Sequence, residues 1–210
     1  MAAMLEGGMS ILYLMAAKAE FGPHLAARIQ PEMIGIGPVE AAVATTRALA
    51  RRAENLPKLV VSLGSAGSNR LEQCAVYQAI SVSYRDMDAS ALGFAKGITP
   101  LTDLPATLPL VPALPGLTAA TLSTGGNVVT GPAYDAIVED MVDMETFAVK
   151  RACQSFGVPL LALRGISDGT ETISKIEDWT QYLHIIDEKL AEAVDLIEAA
   201  YADGLIDLTP

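Results

Sequence analysis

The segment Pro159-Leu-Leu-Ala-Leu-Arg-Gly-Ile-Ser-Asp168 decides how the chain reads. Residues 159–166 form a short apolar run with strand character, and the run closes on a carboxylate, Asp168. Arg164 lies inside it. A guanidinium cannot be buried there without partners, so its presence argues for acidic groups and a polar cavity at this strand end. Two other carboxylates have the same setting: Glu20 in Ala-Lys-Ala-Glu20, just after the apolar run 11–17, and Glu145 in Val-Asp-Met-Glu145. Ligands of open α/β sheets bind beyond the carboxyl ends of strands, so three acidic residues placed there are expected to meet in one pocket.

Working outward, strands and helices alternate. A short helix is expected over 21–29, a short second run over 33–36, and an Ala-rich helix over 39–53, with Pro38 near its start. The third strand spans 59–63 and stops at Gly64-Ser-Ala-Gly67, a small-residue turn whose N–H groups can approach a ligand. Residues 74–84 read as strand. Pro100, Pro105, Pro109, Pro112 and Pro115 make 98–116 an extended, mobile connection. A strand over 117–123, a strand-to-helix junction at Glu145 and one long final helix over about 178–200 complete the reading. The expected fold is three-layer αβα with a central mixed sheet. Residues 1–10 read as an N-terminal extension and 11–210 as one domain.

Composition excludes several function classes. With 25 Asp plus Glu against 14 Lys plus Arg, the net charge of -11 repels nucleic acid and anionic membrane surfaces. No apolar stretch approaches the roughly 20 residues of a spanning helix, and the opening residues lack a secretory pattern, so a cytoplasmic location is expected. Cys74 and Cys153 lack disulfide-framework or metal spacing and read as reduced thiols. Asp86 and Asp88 fit a turn before a helix better than a metal pair. His24 and His184 fall on predicted helices, and His184 with Asp187 has the spacing of a surface pair. Taken singly, Glu20 and Glu145 are also ordinary helix-start acids, and Asp168 before Gly169 an ordinary turn residue. Arg164 shifts that balance.

Six stretches in register carry a resemblance: Met15-Ala-Ala-Lys-Ala-Glu20, Gly35-Ile-Gly-Pro-Val-Glu40, Gly64-Ser-Ala-Gly67, Tyr84-Arg-Asp-Met-Asp88 with Ala91-Leu-Gly-Phe94, Asp143-Met-Glu145 and Arg164-Gly-Ile-Ser-Asp168. They resemble the nucleoside phosphorylase and nucleosidase superfamily, and within it the 5′-methylthioadenosine/S-adenosylhomocysteine nucleosidases. The resemblance implies Asp168 as general acid towards purine N7, with Ser167 beside it, and Glu20 as the base that activates water, with Ser65 and Arg164 holding that water. It implies Glu145 against the ribose hydroxyls, Met144 against the sugar, and main-chain recognition of the purine edge at Val128. It further implies a small-molecule purine nucleoside as partner, a homodimer, and no metal or organic cofactor.

Within that resemblance, Ser62 stands where phosphorylases place a phosphate-binding arginine, which favours hydrolysis over phosphorolysis. Asn127 stands where an aromatic ring over the base is expected. Trp179 falls near the segment that covers the 5′ substituent in relatives, with packing of the final helix as the alternative. A nucleoside phosphorylase, a nucleosidase for another purine nucleoside such as futalosine, and a nucleoside-binding protein without turnover remain as alternatives.

Overall fold

The computed structural model describes residues 11–169 and 174–208; the stretch 1–10, read above as an extension, lies outside the described residues. In chain order the elements are β1 (Ile11–Met15), a 3-10 turn (Lys18–Glu20), α1 (Pro23–Ala26), β2 (Glu32–Met33), α2 (Pro38–Ala50), β3 (Leu59–Gly67) and β4 (Val76–Tyr84). They continue with β5 (Thr107–Pro109), β6 (Ala119–Thr124), β7 (Met141–Asp143), α3 (Thr146–Phe156), β8 (Leu160–Asp168), α4 (Ile176–Thr180) and α5 (Leu183–Ala202). The eight strands of the described residues belong to one mixed sheet. β3 lies parallel between β1 and β8, while β8 runs antiparallel to β4. β4, β6 and β7 follow in parallel, and β7 returns to β3 at Gly67, so five strands pair around a closed circuit.

Side-chain alternation explains the layers. Along β3, Val60 and Ala66 pack with Ala41, Leu49, Phe147 and Cys153 of α2 and α3, whereas Leu59, Val61 and Leu63 pack with Leu25 of α1 and Ile186, Leu190 and Val194 of α5. Successive strand residues point to opposite faces, and here both faces are covered, so the strand is apolar throughout. Each Leu or Val buried this way contributes about 1.5–3 kcal/mol. The expected αβα architecture is therefore the observed one.

Several local expectations need correction. Gly64-Ser-Ala-Gly67 is not a turn: β8 pairs with β3 along its whole length, through Gly64 with Arg164 to Gly67 with Asp168, and carries the strand onward. The helix expected over 21–29 is reduced to α1, and the strand expected from 74 begins at Val76, Cys74 having a positive φ of 64°. The proline-rich connection is extended but pinned, because β5 pairs antiparallel with β4 and Leu108, Leu110 and Leu114 are buried. The long final helix is two helices, α4 and α5.

Asp187 is not a surface residue. It is 1% exposed, and its carboxylate accepts the main-chain N–H groups of Gly22, His24 and Leu25 at 2.9, 2.9 and 3.2 Å. Those N–H groups open α1 and have no partner within so short a helix, so Asp187 satisfies them from α5. A Cβ on Gly22 would lie 2.5 Å from this carboxylate, which is why a residue without a side chain stands there. The contact fixes the segment just after Glu20. Asp88 caps the turn that follows it by accepting the N–H of Ser90, whereas Asp86 accepts the N–H of Gly126 in the loop after β6.

Candidate active site

A cavity of about 490 Å³ opens at the carboxyl ends of β1, β3, β7 and β8, within the size range of small-molecule sites. Glu20, Ser65, Asn127, Val128, Met144, Glu145, Ser167 and Asp168 all line it. Eight of the nine residues expected from the sequence are thus brought together by the sheet, although their positions span most of the chain.

Glu20 is delivered by the 3-10 turn that follows β1 and is 5% exposed. Its Oε1 accepts the N–H and the hydroxyl of Ser65, both at 2.7 Å, and its Oε2 accepts the N–H of Ala17 at 3.3 Å. Burial raises its pKa, while the Ser65 donors, Arg164 and the Ala17 N–H pull it down. The Ser65 N–H, expected to face a ligand, is committed to Glu20 instead.

Glu145 is the residue from which α3 starts, and Gly37 donates its N–H to Glu145 Oε1 at 2.9 Å. Gly37 has a φ of 98°, a conformation that a side chain would strain. Burial, with the negative charge of Asp143 next in importance, pushes the Glu145 pKa up to about 7. Asp168 ends β8 and accepts the Ser167 hydroxyl at 2.5 Å. Its pKa is raised, chiefly by burial, with that hydroxyl opposing. Three carboxylates on one cavity therefore sit in three different donor environments.

Arg164 is the exception among the expected site residues. Strand parity places it with Ser62 on the α3 side of the sheet, and it does not line the cavity. Its Nε donates to Asp143 Oδ2 at 3.1 Å, one terminal nitrogen to the carbonyls of Ser62 and Leu163, and the other to the hydroxyls of Ser62 and Thr146. A guanidinium has five donors, and all five are spent. The acidic partner that the sequence demanded is Asp143, which also accepts from Thr124 and from the N–H and hydroxyl of Thr146. The network underlies the site, holding the β7 to α3 junction that carries Glu145. Ser62 likewise faces Arg164 and not the cavity.

Other residues at or behind the cavity wall stand outside those nine. Arg85, after β4, donates to the carbonyls of Ser123, Asp143 and Asn127 and so ties down the loop that carries Asn127 and Val128. Its place beside that loop had no local signal beyond the Tyr84-Arg-Asp motif. Trp179, on α4, lines the cavity and donates its indole N–H to Ser65 Oγ at 2.9 Å. It also packs against the α5 core, as the packing alternative expected. Tyr134 lies behind the wall: its hydroxyl and Asp168 Oδ2 are 2.2 and 2.8 Å from the point where a Cβ on Gly67 would sit, and among the described residues that hydroxyl has no hydrogen-bond partner.

A mixed sheet flanked by helices is the fold of solved members of the nucleoside phosphorylase and nucleosidase superfamily. The 5′-methylthioadenosine/S-adenosylhomocysteine nucleosidase of Helicobacter pylori, solved with butyl-thio-DADMe-Immucillin-A, superposes with a TM-score of 0.77 over 92% of this chain and 100% of that one, at 20% identity. A futalosine hydrolase mutant from the same organism gives 0.76 over 91% and 99%, also at 20% identity. Among sequences, a 5′-methylthioadenosine/S-adenosylhomocysteine nucleosidase of Marinomonas sp. is 30% identical over 168 residues, which is 69% of this chain and 71% of that protein. The chain belongs to this nucleosidase family. A Staphylococcus aureus relative of the same name is 28% identical over 152 residues, and the match spans 65% of that relative's length. No protein-family model matches the chain.

Proposed function

We propose that this protein hydrolyses the N-glycosidic bond of adenine nucleosides such as 5′-methylthioadenosine and S-adenosylhomocysteine, releasing adenine. The observation that carries the reading is the convergence of Glu20, Glu145 and Asp168 on one cavity, the first two buried, the third half-buried, and each with different hydrogen-bond partners. Adenine leaves poorly as an anion. A partly desolvated carboxyl with a raised pKa retains a proton to donate to N7, and Asp168, with one hydroxyl donor, has that character. Burial raises the pKa of Glu20 as well, but its three donors and Arg164 oppose that rise where Asp168 has one hydroxyl, so of the two Glu20 is assigned the role of base, taking the proton of water as the water oxygen bonds to C1′ and the C1′–N9 bond breaks. Glu145 accepts from the ribose hydroxyls, and the nearby negative charge favours the oxocarbenium character that develops on the sugar. Met144 packs on the sugar, Ser167 orients Asp168, and the main chain at Val128 reads the purine edge.

Water is preferred to phosphate on electrostatic grounds. Around Glu20 the wall is Ala16, Ala17 and Ser65, and the guanidinium behind it is fully engaged. Among the described residues the lining cations are Arg85, committed to main-chain carbonyls, and Lys175, exposed on the far wall. A phosphate dianion at the nucleophile position would face a carboxylate without a planar donor fork.

A homodimer in the cytoplasm belongs to the same reading. Ile36, Val39 and Val43 expose apolar side chains on and before α2, beside the cavity that Ile36 lines, and Cys74 and Cys153 are free thiols. Among the described residues no helix is long and apolar enough to cross a membrane. A second substrate, futalosine, is favoured by one feature: Asn127, a hydrogen-bonding side chain, lines the cavity where a stacking ring was expected.

The test is chromatography of a nucleoside panel, futalosine included, incubated with the protein in phosphate-free buffer and in added phosphate. Free adenine and a reducing sugar should appear at the same rate in both. A sugar product that carries phosphate, or base release only when phosphate is present, would replace this reading with a phosphorylase.

A further inference from the structure

Trp179 is the chain's single tryptophan. Its indole N–H donates to Ser65 Oγ at 2.9 Å, and the proton of that hydroxyl goes on to Glu20 Oε1 at 2.7 Å. The two partners come from elements 114 residues apart, α4 and β3. A serine hydroxyl has one proton and rotates freely unless its acceptor side is also engaged. The indole occupies that side, so the Ser65 proton is held towards Glu20. Among the described residues Oε1 then carries two donors, the Ser65 N–H and O–H, while Oε2 has only the longer 3.3 Å bond from Ala17. Oε2 is left as the oxygen with free acceptor capacity.

We propose that Trp179 is a positioning residue for the attacking water: by donating to Ser65 it keeps Glu20 Oε1 occupied and presents Oε2 as the proton acceptor. The inference rests on the reading of Glu20 as the base. It adds a link between the wall formed by α4 and the nucleophile side of the cavity, since Ser174, Lys175 and Ile176 of the same segment line the cavity as well. Packing alone would not need an indole, because a phenyl ring fills the same place against the α5 core without a donor.

A double-mutant cycle separates the two roles. In the phosphate-free assay Trp179→Phe should lower kcat about tenfold with less than a twofold change in KM. It should also move the acidic limb of the kcat/KM profile to higher pH, because Glu20 loses part of the donation that favours its charged form. The other charged groups acting on this corner, Arg164 from β8 and Glu145 from the start of α3, are untouched by the change. In a Ser65→Ala background the same substitution should change kcat less than twofold. An equal factor in both backgrounds, or an unmoved acidic limb, overturns the proposal.

A readout independent of turnover uses the emission of Trp179 itself. Its intensity should follow an ionisation that is absent in Glu20→Gln and in Ser65→Ala, and persistence of the same titration in either variant breaks the relay. Absence of base release from every nucleoside, with the emission titration present and lost in both variants, would instead remove the functional reading and leave the relay standing.

Discussion

At the residue scale the site is defined by how differently three carboxylates are solvated. On the proposed mechanism Glu20→Gln and Asp168→Asn each delete a proton-transfer group while keeping the side-chain shape, and each should lower kcat by about a hundredfold or more, read by adenine release at equal folded fraction. Activity within a few-fold of wild type in either variant removes that residue's assignment. Glu145 gives a test on stability. Its pKa is raised from 4.5 to about 7, so the folded state holds this proton more tightly than the unfolded chain does. That contribution is present below pH 4.5 and is lost as pH rises through about 7. Glu145→Gln, which can still accept from Gly37, should therefore be more stable than wild type at pH 8 by on the order of 1–3 kcal/mol, with the gain shrinking towards pH 5. Denaturant melts at the two pH values check it, and a gain independent of pH would mean that the carboxylate is not desolvated as described.

At the scale of elements, the network of Arg164, Asp143, Thr146 and Ser62 and the cap at Asp187 do comparable work on the two faces of the sheet. Each ties a short carrier segment to a long, well-buried element: the start of α3 to β8, and α1 with the preceding turn to α5. Asp187→Ala leaves three main-chain N–H groups without their acceptor in a buried corner, so unfolding free energy should fall by about 2–4 kcal/mol. Because that corner follows Glu20 directly, kcat should fall too in the molecules that remain folded. Urea denaturation and specific activity at equal folded fraction measure the two effects; a loss below about 0.5 kcal/mol would mean that water replaces the carboxylate there.

At the scale of the whole molecule the question is assembly. Val39 and Val43 are one helical turn apart on α2 and are 72% and 57% exposed, beside Ile36 at 53%. An apolar strip of this kind is costly to leave in water and adjoins the cavity mouth. Light scattering after size exclusion should give a dimer mass for wild type. Val43→Glu, placing a charge within the strip, should shift the protein to monomer at micromolar concentration; wild type that elutes as monomer throughout the accessible range would rule the dimer out.

The alternation of strands and helices was legible because apolar runs and their Gly and Pro boundaries are local signals, and the acidic ends of three such runs are visible without knowing which strand neighbours which. From this the chain itself determined an αβα sheet with Glu20, Glu145 and Asp168 at its working edge. Arg164 announced by its burial that it needed an acidic partner. Which partner, and whether any donor was left for the cavity, depended on strand register: β3 and β8 pair Ser62 with Ala162 and Gly64 with Arg164, which sets the guanidinium against Ser62 and spends it on Asp143 and Thr146. The same dependence hid the Asp187 cap and the Trp179 to Ser65 bond. Hydrogen bonds between groups more than a hundred residues apart leave no periodicity in the sequence, and only the tertiary structure, by fixing which elements touch, decided them.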